Sequence, residues 1–366
     1  MDPLLPYVAE LNLVDHHCHG VLREDPDRIG FEEMLTGADV VSPWGTSLFD
    51  SAVGLAVRRW CAPLLDLSPH APADEYVERR RSLGAAEVNR AFLVASGIST
   101  FLVDGGLWPE RLVGPAVFTG SRELAVLRLE RLAEEAIIEG AAGFPDRVRT
   151  ALETTPAVAV KSIAAHRVGL ALSGERPSDA AVVAACERWL AGGGGRCADE
   201  VLSRFLVWEA LERALPVQFH VGCGDRDLAP HRADPSLLAD LLRATERLGV
   251  PVLLLHNYPF HRTAGHLAQV FPHVFVDLGP AAHAVAHQAS RVLAEALEVV
   301  PYGKFLFSTD ARGLAELYHL GALFFRRALS DFLLAGLRRH AFAEADAVRI
   351  ARLIGSENAR RAYRLD

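Results

Sequence analysis

The chain has 366 residues, half of them hydrophobic, and a formal net charge of −8. That length buries a large core and suits one large α/β barrel with insertions, or two ordinary domains. The acidic balance argues against nucleic acid or an anionic membrane surface as a general partner, and no apolar run approaches the ~18 residues of a spanning helix.

The opening MDPLLPYVAE has early prolines and acids and no basic region, so no secretion signal is expected. The stretch Leu11–Gly20, LNLVDHHCHG, follows. A short apolar run ends in Asp15, His17 and His19. In an extended strand alternate side chains share a face, so His17 and His19 point the same way and His16 points elsewhere. Cys18 is expected to pack on the other side.

A helical excursion is predicted over 21–97, with clear helical periodicity at 47–65 and 74–95, broken by SPHAP at 68–72. It reads as an insertion lying over one end of the fold. Arg79–Arg81 is the one tight basic run and reads as a solvated helix face.

From there strand-like and helical patterns alternate. Strands are predicted at 99–103, 124–129, 157–161, 216–221, 250–256, 273–278 and 304–309, which with the opening strand makes eight. Their continuous apolar character suits parallel strands covered on both faces. Eight such units predict a (β/α)8 TIM barrel, an α/β fold whose active-site groups sit at the carboxyl ends of the strands. An open doubly wound sheet is the competing reading, but it would carry a glycine-rich phosphate turn where this chain has DHHCHG. Gly192–Gly195 reads as a hinge between two helices, and 315–366 as a helical extension with a capped last helix at 355–363. The whole chain is expected to act as one barrel domain.

The predicted strand ends carry ligand-capable groups: His17 and His19, then Lys161, His220, His256 and Asp310. Zinc takes imidazole nitrogen and carboxylate oxygen, and a catalytic site leaves one position for water, whose pKa the metal lowers toward neutrality. Asp310 could bind metal and move the nucleophile's proton. Only two of the 38 basic residues are lysines, Lys161 and Lys304. A lysine carboxylated by carbon dioxide can bridge two cations, which arginine cannot. The five cysteines, Cys18, Cys61, Cys186, Cys197 and Cys223, lack C-x-x-C spacing, so neither a disulfide framework nor a thiolate site is expected, and a cytoplasmic location is.

D-x-H-x-H after strand one, Lys161 after strand four, His220 and His256 after strands five and six, and Asp310 after strand eight resemble the amidohydrolase superfamily. KSIAAHRVGL (161–170), PVQFHVGCGDRDL (216–228), LLLHNYPFHRTAGHLA (253–268) and FSTDARGLAELYHLGA (307–322) resemble a narrower group. That group is the amidohydrolase-like region fused to glutamine synthetase-type domains in fungal and plant proteins, together with its free-standing bacterial relatives. No synthetase-type domain follows within the chain, so such a partner is expected as a separate protein.

The resemblance implies a barrel with His17, His19, His220, His256 and Asp310 carrying one or two Zn2+ or other divalent ions such as Mn2+. His17 and His19 would sit on the more buried metal, and Lys161, carboxylated, would bridge to a second. Asp310 and His256 would be the catalytic groups. Its reaction would be hydrolysis of a small molecule through an amide, related C–N or ester bond. Decarboxylation of a small carboxylic acid on the same site is the alternative, and a non-catalytic metal-holding regulatory protein is another. His166, Arg167, Arg128, Glu130, Asp225 and Arg312 are the substrate-binding candidates, and Asp104 lies close to them. His283 and His287, four apart, read as a surface helix face. The expected partner is a small-molecule substrate, with room for a homo-oligomer.

Overall fold

A computed structural model describes residues 4–38 and 42–366. Its centre is a parallel sheet of seven strands in chain order: β1 (Leu13–Cys18), β2 (Ile98–Asp104), β3 (Arg122–Arg128), β4 (Ala159–Ser162), β5 (Val217–His220), β6 (Val252–Leu255) and β7 (Val274–Val276). Each pairs with the next in parallel. Sequential order with helical crossovers is the curled arrangement that the alternating pattern predicts.

The eighth predicted run does not form a ladder. Phe305 bridges Val276, His16 N–H donates to the Phe307 carbonyl at 3.2 Å, and Asp310 N–H donates to the His17 carbonyl at 3.0 Å. The run is therefore bonded to β7 on one side and to β1 on the other. It is short because Lys304 closes a 3-10 turn at one end and Asp310 adopts a left-handed φ of 47° at the other.

Inside the curl lies a second, smaller core. Val14, Leu102, Val126, Ala159, Leu253, Leu255, Phe275 and Leu306 meet there with Ala359, Ala362 and Tyr363 of the last helix, Asn358–Tyr363. The helical tail thus seals the interior rather than lying on the surface. The larger core fills the space between sheet and helices, where Ala315–Arg338 packs on Ala85–Ser96 and Ala289–Ala296.

The excursion after β1 is helical but interrupted. The predicted helix at 47–65 divides into a 3-10 turn, the short helix Ala52–Ala56, a π-turn and a second 3-10 turn. The next one splits at Gly84, φ 85°, into Ala73–Leu83 and Ala85–Ser96. Val21–Leu22 pairs with Leu112–Val113 in a small antiparallel ribbon. Gly193, Gly194 and Gly195 all take positive φ between the helices Asp179–Ala191 and Glu200–Glu212.

The basic run at 79–81 is not a solvated face throughout. Arg80 is 1% exposed; its Nε donates to Glu316 Oε1 at 2.8 Å, and it also pairs with Asp25. Tyr76 Oη donates to the same Glu316 oxygen at 3.0 Å, beside stacked Phe31 and Phe49. Helical periodicity puts Tyr76 and Arg80 on one face, and that face docks on Ala315–Arg338.

Several histidines have buried ring nitrogens without a partner. Burial pushes the pKa of His273, His283 and His319 down to about 4. The unfolded chain takes up protons near pH 6.5, whereas the folded one resists until about pH 4. Stability is therefore full above pH 6.5 and is lost as the pH falls toward 4. For fully buried His283 the loss amounts to roughly 3 kcal/mol at most. Urea denaturation of metal-free protein should show a falling midpoint from pH 7 to 4.5, and His273→Gln should flatten that slope.

Candidate metal centre

Asp310 stands where the β1 end and the eighth run meet. Its Oδ1 lies 3.3 Å from His17 Nε2 and 3.4 Å from His19 Nε2, and its Oδ2 lies 3.7 Å from His256 Nδ1. The ligand atoms of His17, His19 and Asp310 fall within 4.8 Å of one another.

The protonation of the two β1 rings follows from their other nitrogens. Gln218 on β5 donates its Nε2 to the His16 carbonyl at 2.8 Å and to Tyr363 Oη at 2.7 Å. The flipped amide would set oxygen against the His16 carbonyl, so Oε1 is the acceptor facing His17 Nδ1 at 2.8 Å. His19 Nδ1 donates to the Asp104 carbonyl at 2.9 Å. Both rings hold a proton on Nδ1 and aim Nε2 at Asp310.

An imidazole lone pair facing a carboxylate repels it unless a cation lies between them. Ring protonation is not the remedy for His17: burial, with the Lys161 charge, lowers its pKa well below the usual value. Burial would raise the Asp310 carboxyl, but His256, His17, His19 and Lys161 around it hold it well below the carboxylate range. His256 adds a further orphan. Both its ring nitrogens are buried without a partner, and burial brings its pKa down to about 4. The donor set therefore fits a divalent cation.

The backbone is shaped for this. His256, Asn257 and Asp310 all have positive φ, of 72°, 55° and 47°, an uncommon conformation tolerated best by these residue types. Gly279 is required beside them, because a Cβ there would lie 2.6 Å from His256 Nδ1. Asp277 at the end of β7 accepts the His256 N–H at 2.5 Å, Ser308 Oγ at 2.5 Å and His16 Nε2 at 2.8 Å. His16 is thus a buried support and not an idle neighbour. Cys18 packs away from the cluster, with its Sγ 3.6 Å from the Leu102 carbonyl.

Lys161 Nζ lies 2.7 Å from His17 Nε2, and burial lowers its pKa. His220 is adjacent to the cluster and not in its tightest part. Its Nε2 lies 3.1 Å from the Cys223 carbonyl, and its ring is 4.7 Å from that of His256 and 4.4 Å from that of His166. His166 Nδ1 in turn lies 3.2 Å from Asp225 Oδ1.

The other predicted substrate residues divide. Arg128 Nε donates to Asp104 at 3.1 Å. Glu130 accepts from Ser162 Oγ at 2.7 Å and from Ile163 N–H at 2.9 Å. Arg167 lies 3.5 Å from Glu134. These three are tied into protein pairs. Arg312 instead lines a cavity of about 170 Å³ with Asp310, His220 and Cys223.

His283 corrects the surface reading: it is 6% exposed and lines the same cavity, whereas His287 is exposed. Helical spacing of the two rings misled, because the helix ends at Ala284 and a 3-10 turn follows. Met34, Leu35, Thr36 and Gly37 also line the cavity, so the excursion after β1 does reach the site.

The Amidohydrolase family model matches residues 65–365. Protein fluG of Emericella nidulans is 25% identical over 410 aligned residues, covering 97% of this chain and 46% of fluG. The chain thus spans about half the length of that curated relative. The crystal structure of a candidate metal-dependent hydrolase from Lactobacillus casei ATCC 334 superposes with a TM-score of 0.85 at 29% identity, over 100% of this chain and 98% of that one. A uronate isomerase from Bacillus halodurans C-125 shares the fold, with a TM-score of 0.64 at 15% identity over 98% and 95% of the two chains. A helix long and apolar enough to cross a membrane is absent among the described residues. A family match over most of the length, on a parallel sheet whose strand ends converge on a cation-ready cluster, means that the chain belongs to the amidohydrolase family.

Proposed function

We propose that this protein is a metal-dependent hydrolase of a small molecule, cleaving an amide, related C–N or ester bond in the cytoplasm. The run 304–309 is the eighth stave of its (β/α)8 barrel, and the barrel is one domain. The observation that carries the reading is the convergence of the Nε2 atoms of His17 and His19 on Asp310 Oδ1.

His17, His19 and Asp310 would hold one cation, with His256 and His220 on the facing side. Nitrogen and carboxylate donors suit zinc, and manganese is the next candidate. Lys161 would bridge to a second cation as its carbamate. Carbamate formation needs a neutral amine, the form that burial favours here. The cation, when bound, supplies Lewis acidity, polarising a substrate carbonyl and acidifying water.

The chain does the rest. Ionised Asp310 takes the proton from the attacking water and delivers it to the leaving nitrogen or oxygen. His256 is held beside Asp310 Oδ2, at 3.7 Å, by its left-handed backbone and by the Asp277 grip on its N–H. Gln218 and the Asp104 carbonyl orient both β1 rings through Nδ1, so that each turns its Nε2 toward Asp310.

Stripping the protein with a strong chelator should abolish hydrolysis of a panel of small amides and esters, and zinc or manganese should restore it. Metal analysis should give close to two ions per chain, and native mass spectrometry one added carbon dioxide. One ion with unmodified Lys161 would remove the bridge, and undiminished turnover in stripped protein would remove the metal reading.

A further inference from the structure

Arg312 and His283 share the cavity beside Asp310, and the metal reading gives neither of them a task. Arg312 is anchored at one end: its Nη2 donates to the Thr36 carbonyl at 2.8 Å. Its Nε is buried without an acceptor. Among the described residues no carboxylate lies within ion-pair distance of it, whereas Arg80 and Arg128 each have one. Asp225 feels its charge but is engaged by His166. The Arg312 Nε has lost water and gained no acceptor, a cost that a ligand oxygen in the cavity would remove.

His283 stands on the short helix Ala281–Ala284 after β7 and has an unpartnered, buried Nδ1. That nitrogen faces Gly321 of the long helix, where a Cβ would approach to 3.7 Å. The ring therefore backs onto the helix and lines the cavity with its remaining edge. The cavity also has apolar walls, from Met34, Leu35, Val53 and Leu317. One charged corner, one polar ring and an apolar floor, next to Asp310, make a pocket with a sign.

We infer that Arg312, with His283 beside it, binds a free carboxylate on the substrate, so that the molecules cleaved are small amides or esters bearing a carboxylate a short spacer from the scissile bond. This rests on the proposed reaction only for where the bond lies. Arg312 is two residues from Asp310, so carboxylate and scissile carbonyl are held within one small molecule's length. Guanidinium and carboxylate match as planar, charge-assisted partners.

The test is calorimetric binding of N-acetylglycine and of its neutral counterpart N-acetylglycinamide, to metal-free and to zinc-loaded protein, followed by hydrolysis of the same pair. Wild-type protein should bind the acid at least tenfold more tightly than the amide, with or without zinc. Arg312→Met should abolish that preference, and Arg312→Lys should retain part of it. His283→Gln should weaken the acid severalfold. Melting curves accompany each variant, and the wild-type comparison needs no variant at all. Equal binding of acid and amide by the wild type, or an undiminished preference in Arg312→Met, overturns the inference. The two proposals fail separately. Arg312-dependent acid binding without any turnover would sink the hydrolase reading and keep the pocket, and turnover indifferent to the carboxylate would do the reverse.

Discussion

Asp310→Asn is expected to lower kcat on any substrate of this enzyme by roughly 10²–10⁴-fold, the usual range for loss of a positioned proton carrier. Asparagine is nearly isosteric and tolerates the left-handed backbone at this position, φ 47°, so the fold should persist. The variant has a second signature. In metal-free protein the carboxylate faces the Nε2 atoms of His17 and His19, and burial keeps the His17 ring neutral; an amide N–H can donate to its lone pair. The metal-free variant should therefore melt no lower than metal-free wild type, and it should gain less from added zinc. Full turnover would remove Asp310 from the chemistry, and a large drop in melting temperature would mean that its role is structural.

Arg80→Met should cost about 3–5 kcal/mol of folding stability, because it strands a charge in the interior. Glu316 has a fully buried side chain, and Arg80 Nε bonds it at 2.8 Å. Tyr76 Oη would remain as its one neutral donor. Equilibrium denaturation measures the loss. The double variant Arg80→Met with Glu316→Leu should recover most of it, since exchanging a whole buried pair for apolar groups is close to neutral. Both residues fasten the segment after β1 to the helix Ala315–Arg338, and that segment supplies Met34–Gly37 to the cavity. A rise in KM should accompany the loss of stability.

The order of the strands and the sides of the β1 histidines were legible because periodicity is local. Alternation alone puts His17 and His19 together, and their rings are 5.1 Å apart. Asp310 and His256 were legible as charged or polar groups ending apolar runs. Asp277 ends the run at 273–278 in the same way and deserved the same reading. Gln218 also left a signal: an amide two residues before His220 in an apolar strand must find buried partners. What those partners are, Tyr363 and the two β1 histidines, was not legible, because they lie more than a hundred residues away in sequence. Arg80 and His283 misled for a different reason. Composition describes the average environment of a charged or polar helix residue, whereas their burial comes from the particular helix packed over each. The ladder expected at 304–309 reduced to a single bridge because Ser308 and Thr309 turn their hydroxyls to Asp277 and Asp15 and Asp310 adopts a left-handed backbone there.

The last helix has one more consequence. Tyr363 bonds both Gln218 Nε2 and His16 Nδ1, and Gln218 fixes the tautomer of His17. Docking of the tail and occupation of the cluster are therefore two equilibria that share a term. Linkage is reciprocal: whatever free energy the docked tail lends to a cation, the cation returns to the tail. Amide hydrogens of 358–363 should exchange with solvent more slowly once the ion is in place, although the ion touches none of them.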